Sequence, residues 1–230
     1  MKPKSVEDQC LERSANLARP KQYLDEITRV LGNVPPTTVE DVVGVFYEAY
    51  LGDRAIFIFG NGGSAALASH AACDLGKGTA VNGNKRLRVV SLTDNVPLIT
   101  AWANDVAYED IFASQLHPLV RPGDVAFAIS GSGNSPNVLK ALSTARNAGA
   151  INVGLTGFRG GKMKELCDVC VVVPSENMQQ IEDAHVCIMH SAFLALRQIV
   201  SRDPVPDSTR PREETGVTSD RNSSLVCRKV

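Results

Sequence analysis

No charge excess marks this chain: 24 Lys and Arg residues stand against 25 Asp and Glu over 230 residues, a formal net charge of −1. Without a dense basic patch it cannot neutralise a run of phosphates, so nucleic acid is excluded as the principal ligand, and any phosphate it binds is a small one. Long apolar runs are missing too. None reaches the ~18 residues of a membrane span, and Met1 to Arg13 carries charges of both signs where a signal peptide has an apolar core. The expectation is a cytoplasmic protein with no membrane contact. Six cysteines without a secretion signal read as reduced thiols. Cys167 and Cys170 form a CxxC, but no second pair accompanies it, so two small core residues are the simpler reading. Histidine is scarce as well, with four in the chain. What is abundant is ordinary: 43% hydrophobic and 21% charged residues, the balance of one globular domain with a buried core.

Along the chain the apolar spacing changes period. Leu11, Ala15, Leu17, Tyr23, Ile27 and Leu31 recur at helical spacing until Gly32 and Pro35 interrupt it, and Val39 to Leu51 follows as a second amphipathic helix, with Thr38 available as its N-cap. Short β-rich runs then appear at Ala55–Phe59, Leu87–Leu92, Val125–Ile129, Asn152–Leu155 and Val169–Val173. Each precedes a loop and a helical stretch: Ala65–Leu75, Pro97–Ala103 with Tyr108–Leu116, Pro136–Asn147, and finally Ile181–Val200. Strands alternating with helices imply a doubly wound α/β fold, a parallel sheet covered on both faces, because parallel strands need crossover connections. The expected organisation is N-terminal helices over residues 1–52, the α/β domain over 53–200, and a tail over 201–230. That tail is rich in Pro, Ser, Thr, Arg and Asp, and cannot offset its ordering entropy by burial.

Ligands of open α/β sheets gather at the carboxyl ends of the strands. Two loops there stand out. Gly60-Asn61-Gly62-Gly63-Ser64-Ala65 follows the first strand and leads into a helix, where glycines let backbone N–H groups approach an anion. It also fits GxGxxA, but the acidic residue a dinucleotide site needs about 20 positions on is not there; Asp94 lies well beyond. Ser130-Gly131-Ser132-Gly133-Asn134-Ser135 follows the third strand and opens the helix at Pro136. Its three hydroxyls and free N–H groups can hold a phosphate monoester without a lysine.

These two segments, with Asn104-Asp105 and Gly160-Gly161-Lys162-Met163, resemble the sugar isomerase (SIS) family, and within it the phosphoheptose isomerase branch, from about Thr38 to Val200. The resemblance implies a flavodoxin-like, five-stranded sandwich and a homotetramer with active sites at subunit interfaces. It implies conversion of sedoheptulose 7-phosphate to a manno-heptose 7-phosphate. Ser130, Gly131, Ser132 and Ser135 would hold the phosphate; Asn61, Gly62, Gly63, Ser64, Asn104, Asp105, Asp74 and Glu182 would line the sugar. Zinc or another divalent metal would be bound by His70, Asp74, Glu182 and His190. His70 and Asp74 share a helical face at i,i+4. Glu182 and His190 are turned about 80° apart, whereas Asp183 and His190 nearly eclipse, so Asp183 stands as a rival to Glu182. In this branch Glu commonly stands where the chain has Asp74, Gln where it has Glu182, and often Thr where it has Gly131.

Isomerisation through a cis-enediol needs a base at carbon and an acid/base at oxygen. Asp74 is the expected carbon proton shuttle and His190 the oxygen partner. His117 reads as a surface residue and His185 as a core histidine. The alternatives are a non-catalytic phosphosugar-binding or protein-docking module on the same fold, and an isomerase of another sugar phosphate.

Overall fold

The computed structural model describes residues 20–80, 84–202 and 205. Two helices come first, α1 (Pro20–Gly32) and α2 (Pro36–Leu51). Pro36 sets the first turn of α2, so Pro35 rather than Thr38 takes the N-cap position, and the Thr38 hydroxyl donates back to the Pro35 carbonyl at 2.9 Å. There follow β1 (Ala55–Gly60), α3 (Gly63–Gly78), β2 (Arg88–Ser91), α4 (Val96–Asp105), a 3-10 turn at Tyr108–Asp110, α5 (Ala113–Leu116), β3 (Val125–Ser130), α6 (Pro136–Asn147), β4 (Ile151–Thr156), α7 (Met163–Leu166), β5 (Val169–Val172) and α8 (Met178–Arg202). The sheet has five strands in the order β2-β1-β3-β4-β5, every neighbouring pair parallel.

Alternation along each strand sends side chains to two cores. Ile56, Ile58, Val125, Phe127 and Ile129 face the cluster covered by α1, α2, α3 and α8. Ala55, Phe57, Phe59, Ala126 and Ala128 face the cluster built with Ile111, Phe112, Leu116, Leu142 and Met163. The helical stretch expected at Tyr108–Leu116 is broken, because Ile111 and Phe112 turn inward to fill this second core between the 3-10 turn and α5.

By length and composition α8 is capable of crossing a membrane. It lies instead on the sheet, burying Ile181, Ala184, Ile188, Ala192, Leu196 and Val200, and is a core helix. It also runs two residues into the expected tail. Beyond it the Val205 carbonyl accepts from the Lys85 N–H at 3.0 Å; residues 1–19, 203–204 and 206–230 lie outside the described residues. Two polar bridges tie α1 to α8: the Tyr23 hydroxyl donates to Asp183 at 2.5 Å, and the Gln180 amide donates to Glu26 at 2.9 Å.

Candidate active site

The third strand ends at Ser130, and the chain must reverse into α6 within five residues. Gly133, at φ +64°, makes that turn, its N–H donating to the Ser130 carbonyl at 3.0 Å and its carbonyl accepting from Met163 at 2.9 Å. The loop after β4 thus holds the serine loop in place, and Lys162 N–H adds a bond to the Asn134 side chain at 3.1 Å. Ser130 and Ser135 hydroxyls lie 3.3 Å apart. Ser135 is the N-cap residue of α6, yet its hydroxyl makes no capping bond, which leaves it and the open first turn of the helix for an anion. Gly131 is tightly packed: a Cβ there would sit 2.5 Å from Met178 Sδ, so the methionine occupies the room that a larger residue would need.

The β1–α3 loop reaches the same place. The Asn61 and Asn137 amides pair reciprocally, at 2.9 and 2.8 Å, and Tyr108 donates to Asn61 at 3.2 Å. Asn137, Tyr108 and Met178 are site neighbours that reading the sequence missed. Asn137 carried a usable signal, a polar residue four before Ala141 on the buried face of α6. Asn61, Ser64, Ser130, Gly131, Ser132, Ser135, Met178 and Glu182 line one cavity of about 190 Å³. A second, of about 220 Å³, shares Ser64 and Glu182 and adds Gly63, Leu67, Asp183 and His185.

Beyond these cavities α3 and α8 travel side by side in the same direction: Gly63 lies against Glu182, and Gly78 against the Phe193 ring. Between those contacts His70, Asp74 and His190 meet, their ligand atoms all within 4.8 Å of one another. Asp74 Oδ2 is 3.3 Å from His70 Nε2 and 3.6 Å from His190 Nε2, and the two imidazole nitrogens are 3.5 Å apart. A tetrahedral zinc with bonds of about 2.0–2.1 Å places neighbouring ligand atoms roughly 3.3 Å apart, so the three atoms sit near the corners that such an ion requires. Nitrogen and carboxylate donors suit zinc and its divalent neighbours. The donor set therefore fits.

Glu182 does not join this group. Eight residues of helix put it about 12 Å from His190 along α8, and its carboxylate turns back over the first turn of α3, with Oε1 3.0 Å from where a Gly63 Cβ would be. Asp183 is no substitute, because Tyr23 holds it; the bond that the phenol donates to Asp183 pushes the Tyr23 pKa up to about 12. Asn104 and Asp105, the last residues of α4, are exposed, bond to each other at 2.8 Å, and make no hydrogen bond to either loop.

His185 is 1% exposed, with neither ring nitrogen hydrogen-bonded among the described residues. Burial pushes its pKa down to about 4, partly opposed by the Thr156 backbone. The unfolded chain therefore binds this proton first. The contribution of neutral His185 is complete above pH 6.5 and is lost as pH falls from 6.5 toward 4, by up to about 3 kcal/mol. Urea unfolding at pH 7.5 and 4.5 checks this: His185→Gln should flatten the slope between them. An unchanged slope in that variant would assign the acid sensitivity elsewhere. The described cysteines, Cys73, Cys167, Cys170 and Cys187, are free thiols. Cys167 and Cys170 share a thiol hydrogen bond that raises the first pKa and lowers the second.

Comparison with known proteins agrees with this geometry. The SIS domain family matches residues 22–157. The phosphoheptose isomerase of Rhodospirillum rubrum is 42% identical over 160 residues, covering 70% of this chain and 84% of that protein. The phosphoheptose isomerase of Aquifex aeolicus is 38% identical over 152 residues, covering 66% and 79%. Among solved structures, the phosphoheptose isomerase from Neisseria gonorrhoeae superposes with a TM-score of 0.73 at 28% identity, over 82% of this chain and 99% of that one. The enzyme from Francisella tularensis gives 0.72 at 26%, over 77% and 96%. With a five-stranded parallel sheet, a serine loop and a His-Asp-His group, this chain belongs to the SIS domain family, in its phosphoheptose isomerase branch.

Proposed function

We propose that the chain is a phosphoheptose isomerase, an aldose–ketose isomerase that converts sedoheptulose 7-phosphate to D-glycero-D-manno-heptose 7-phosphate in the cytoplasm. The observation that carries this reading is that the helix pair α3 and α8 bears both parts of a site: Ser64 and Glu182 in a serine-lined cavity, and three converging donor groups farther along the same two helices. Ser130, Ser132 and Ser135 hold the phosphate with the N-terminus of α6, whose dipole favours the anion. Asn61, Gly62, Gly63, Ser64 and Gly131 shape the sugar's path; Asn104 and Asp105 complete it from an exposed helix end, facing a neighbouring subunit. His70, Asp74 and His190 would hold zinc or another divalent ion, which when bound polarises the substrate carbonyl as a Lewis acid. His190 serves the oxygen protons. The carbon proton needs a carboxylate, and two stand at the site, Asp74 and Glu182.

A homotetramer with shared sites fits the surface. Val96, Leu98, Val106 and Tyr108 are exposed along α4 and the turn after it, and an apolar groove of about 460 Å³ opens between α1, α2 and α8, lined by Leu31, Val34, Val39 and Ile188. In this reading α1 and α2 pack both on the 53–200 domain and on the oligomer. Sedimentation should give four times the 24.6 kDa chain mass; a monomer that turns over substrate would refute shared sites. The test of function is direct. Zinc-loaded protein incubated with sedoheptulose 7-phosphate should yield the aldose by NMR, and no product with any divalent metal would transfer the site to phosphosugar binding without chemistry.

A further inference from the structure

We infer that Cys167 and Cys170 form a thiol–disulfide exchange site, which a low-molecular-weight disulfide such as oxidised glutathione converts to an internal disulfide linked mechanically to the serine loop. The site is independent of the isomerase reading. Residues three apart on a straight strand point to opposite faces. Here Cys167 ends α7, the chain bends at Asp168, and Cys170 enters β5 opposite Gly154, so the bend returns both side chains to one face. A Cβ at Gly154 would lie 2.6 Å from Cys167 Sγ and 3.2 Å from Cys170 Sγ; both sulfurs rest over the bare patch that this glycine leaves on the sheet. Asp168 pins the chain between them. Its N–H donates to the Asn152 carbonyl at 2.8 Å, and its Oδ2 accepts from the Asn152 N–H at 2.7 Å. Both cysteines are free and half-buried, on the edge strand and the turn before it, within reach of a small disulfide.

The pair is unequal. The hydrogen bond that Cys167 donates lowers the Cys170 pKa, with burial opposing and the Lys164 charge assisting, while the same bond and burial raise that of Cys167. Cys170 is therefore the attacking thiolate and Cys167 the resolving thiol. Cys170 attacks one sulfur of glutathione disulfide; that S–S bond breaks, a mixed disulfide forms, and one glutathione leaves as its thiolate. Cys167 then gives up its proton and attacks the Cys170 sulfur, expelling the second glutathione. Two protein thiols are oxidised, one disulfide is reduced, and the two protons pass to the departing glutathione thiolates.

The third group over Gly154 is the Met163 methyl, 3.2 Å from the same Cβ position, and the Met163 N–H donates to the Gly133 carbonyl that holds the serine loop. An S–S bond of about 2.05 Å draws together sulfurs that now stand at hydrogen-bond range. Cys170 is fixed by strand pairing to β4, so the one-turn α7, which begins at Met163 and leads into Cys167, is the part that moves.

The test treats reduced full-length protein with oxidised glutathione, then maps thiols by alkylation and mass spectrometry. Wild type should show a Cys167–Cys170 disulfide with no glutathione on either residue. Cys167→Ser should retain glutathione on Cys170, and Cys170→Ser should take it up at Cys167 about tenfold more slowly. Amide hydrogen exchange at Met163 should quicken about fivefold in the oxidised wild type and return to its first rate with dithiothreitol. Glutathione retained on wild-type Cys170, or both thiols still open to alkylation, overturns the exchange site. A disulfide that leaves Met163 exchange unchanged overturns the link to the serine loop.

Discussion

Stripping the divalent ion with a chelator is expected to lower turnover of sedoheptulose 7-phosphate by about a thousandfold, and Asp74→Asn is expected to do the same in the presence of added zinc. Carbonyl polarisation by a metal is worth several kcal/mol of barrier, and each 1.36 kcal/mol is tenfold in rate, which sets that magnitude. Asp74 is the sole carboxylate in the three-member cluster, the group whose Oδ2 lies within 3.6 Å of both imidazole nitrogens. Its amide analogue keeps the volume but removes the charge that offsets a dication. The fold should survive. His70 and His190 side chains are 48% and 46% exposed, and the helices that carry them are anchored by Leu67, Ala71, Leu75, Ile188, Ala192 and Leu196 in the core. Circular dichroism should therefore be unchanged in both, while turnover returns with zinc in the stripped wild type and not in Asp74→Asn. Full turnover after chelation would leave the cluster a structural feature and return the carbonyl chemistry to the protein's own hydrogen-bond donors.

The elements most legible in the sequence were those whose signal is local. Alternating β-rich and helical runs gave away the parallel sheet, and Pro136 after the serine loop placed the start of α6 to the residue. His70 and Asp74 came from the family resemblance, to which the i,i+4 spacing added that they share a helical face. Glu182 was ambiguous for a physical reason: helical geometry alone favoured Asp183, and what removes Asp183 is Tyr23, 160 positions away, whose hydroxyl claims it. The Asn61–Asn137 pair joins residues 76 positions apart and was out of reach in the same way. Thr38 failed as a cap because the proline pair before it had already set the helix start. The break between Tyr108 and Leu116 depended on which side chains the second core would accept, a packing question that periodicity does not pose.

Gly133→Ala is the substitution expected to do most damage to the phosphate site without touching a polar side chain. The left-handed backbone at φ +64° costs an alanine about 1–2 kcal/mol by itself. The larger penalty is steric. A Cβ would overlap the Gly160 carbonyl oxygen and lie 2.8 Å from Thr156 Oγ1, and both neighbours are held, Gly160 by backbone and Thr156 by the end of β4. Relief requires separating the serine loop from the Gly160–Met163 segment, which breaks the Met163 to Gly133 bond and moves Ser132 and Ser135 together. Gly149→Ala supplies the comparison. It also has a positive φ, +78°, but its Cβ would meet Pro122 at an ordinary 3.4 Å, so it should cost only the backbone term. Urea unfolding should show Gly133→Ala destabilised by at least about 3 kcal/mol and Gly149→Ala by about 1–2. Inorganic phosphate should raise the unfolding midpoint of wild type and Gly149→Ala but not of Gly133→Ala. Equal losses in the two variants would mean that the loops yield at no cost, and phosphate protection retained by Gly133→Ala would move the anion away from the serine loop.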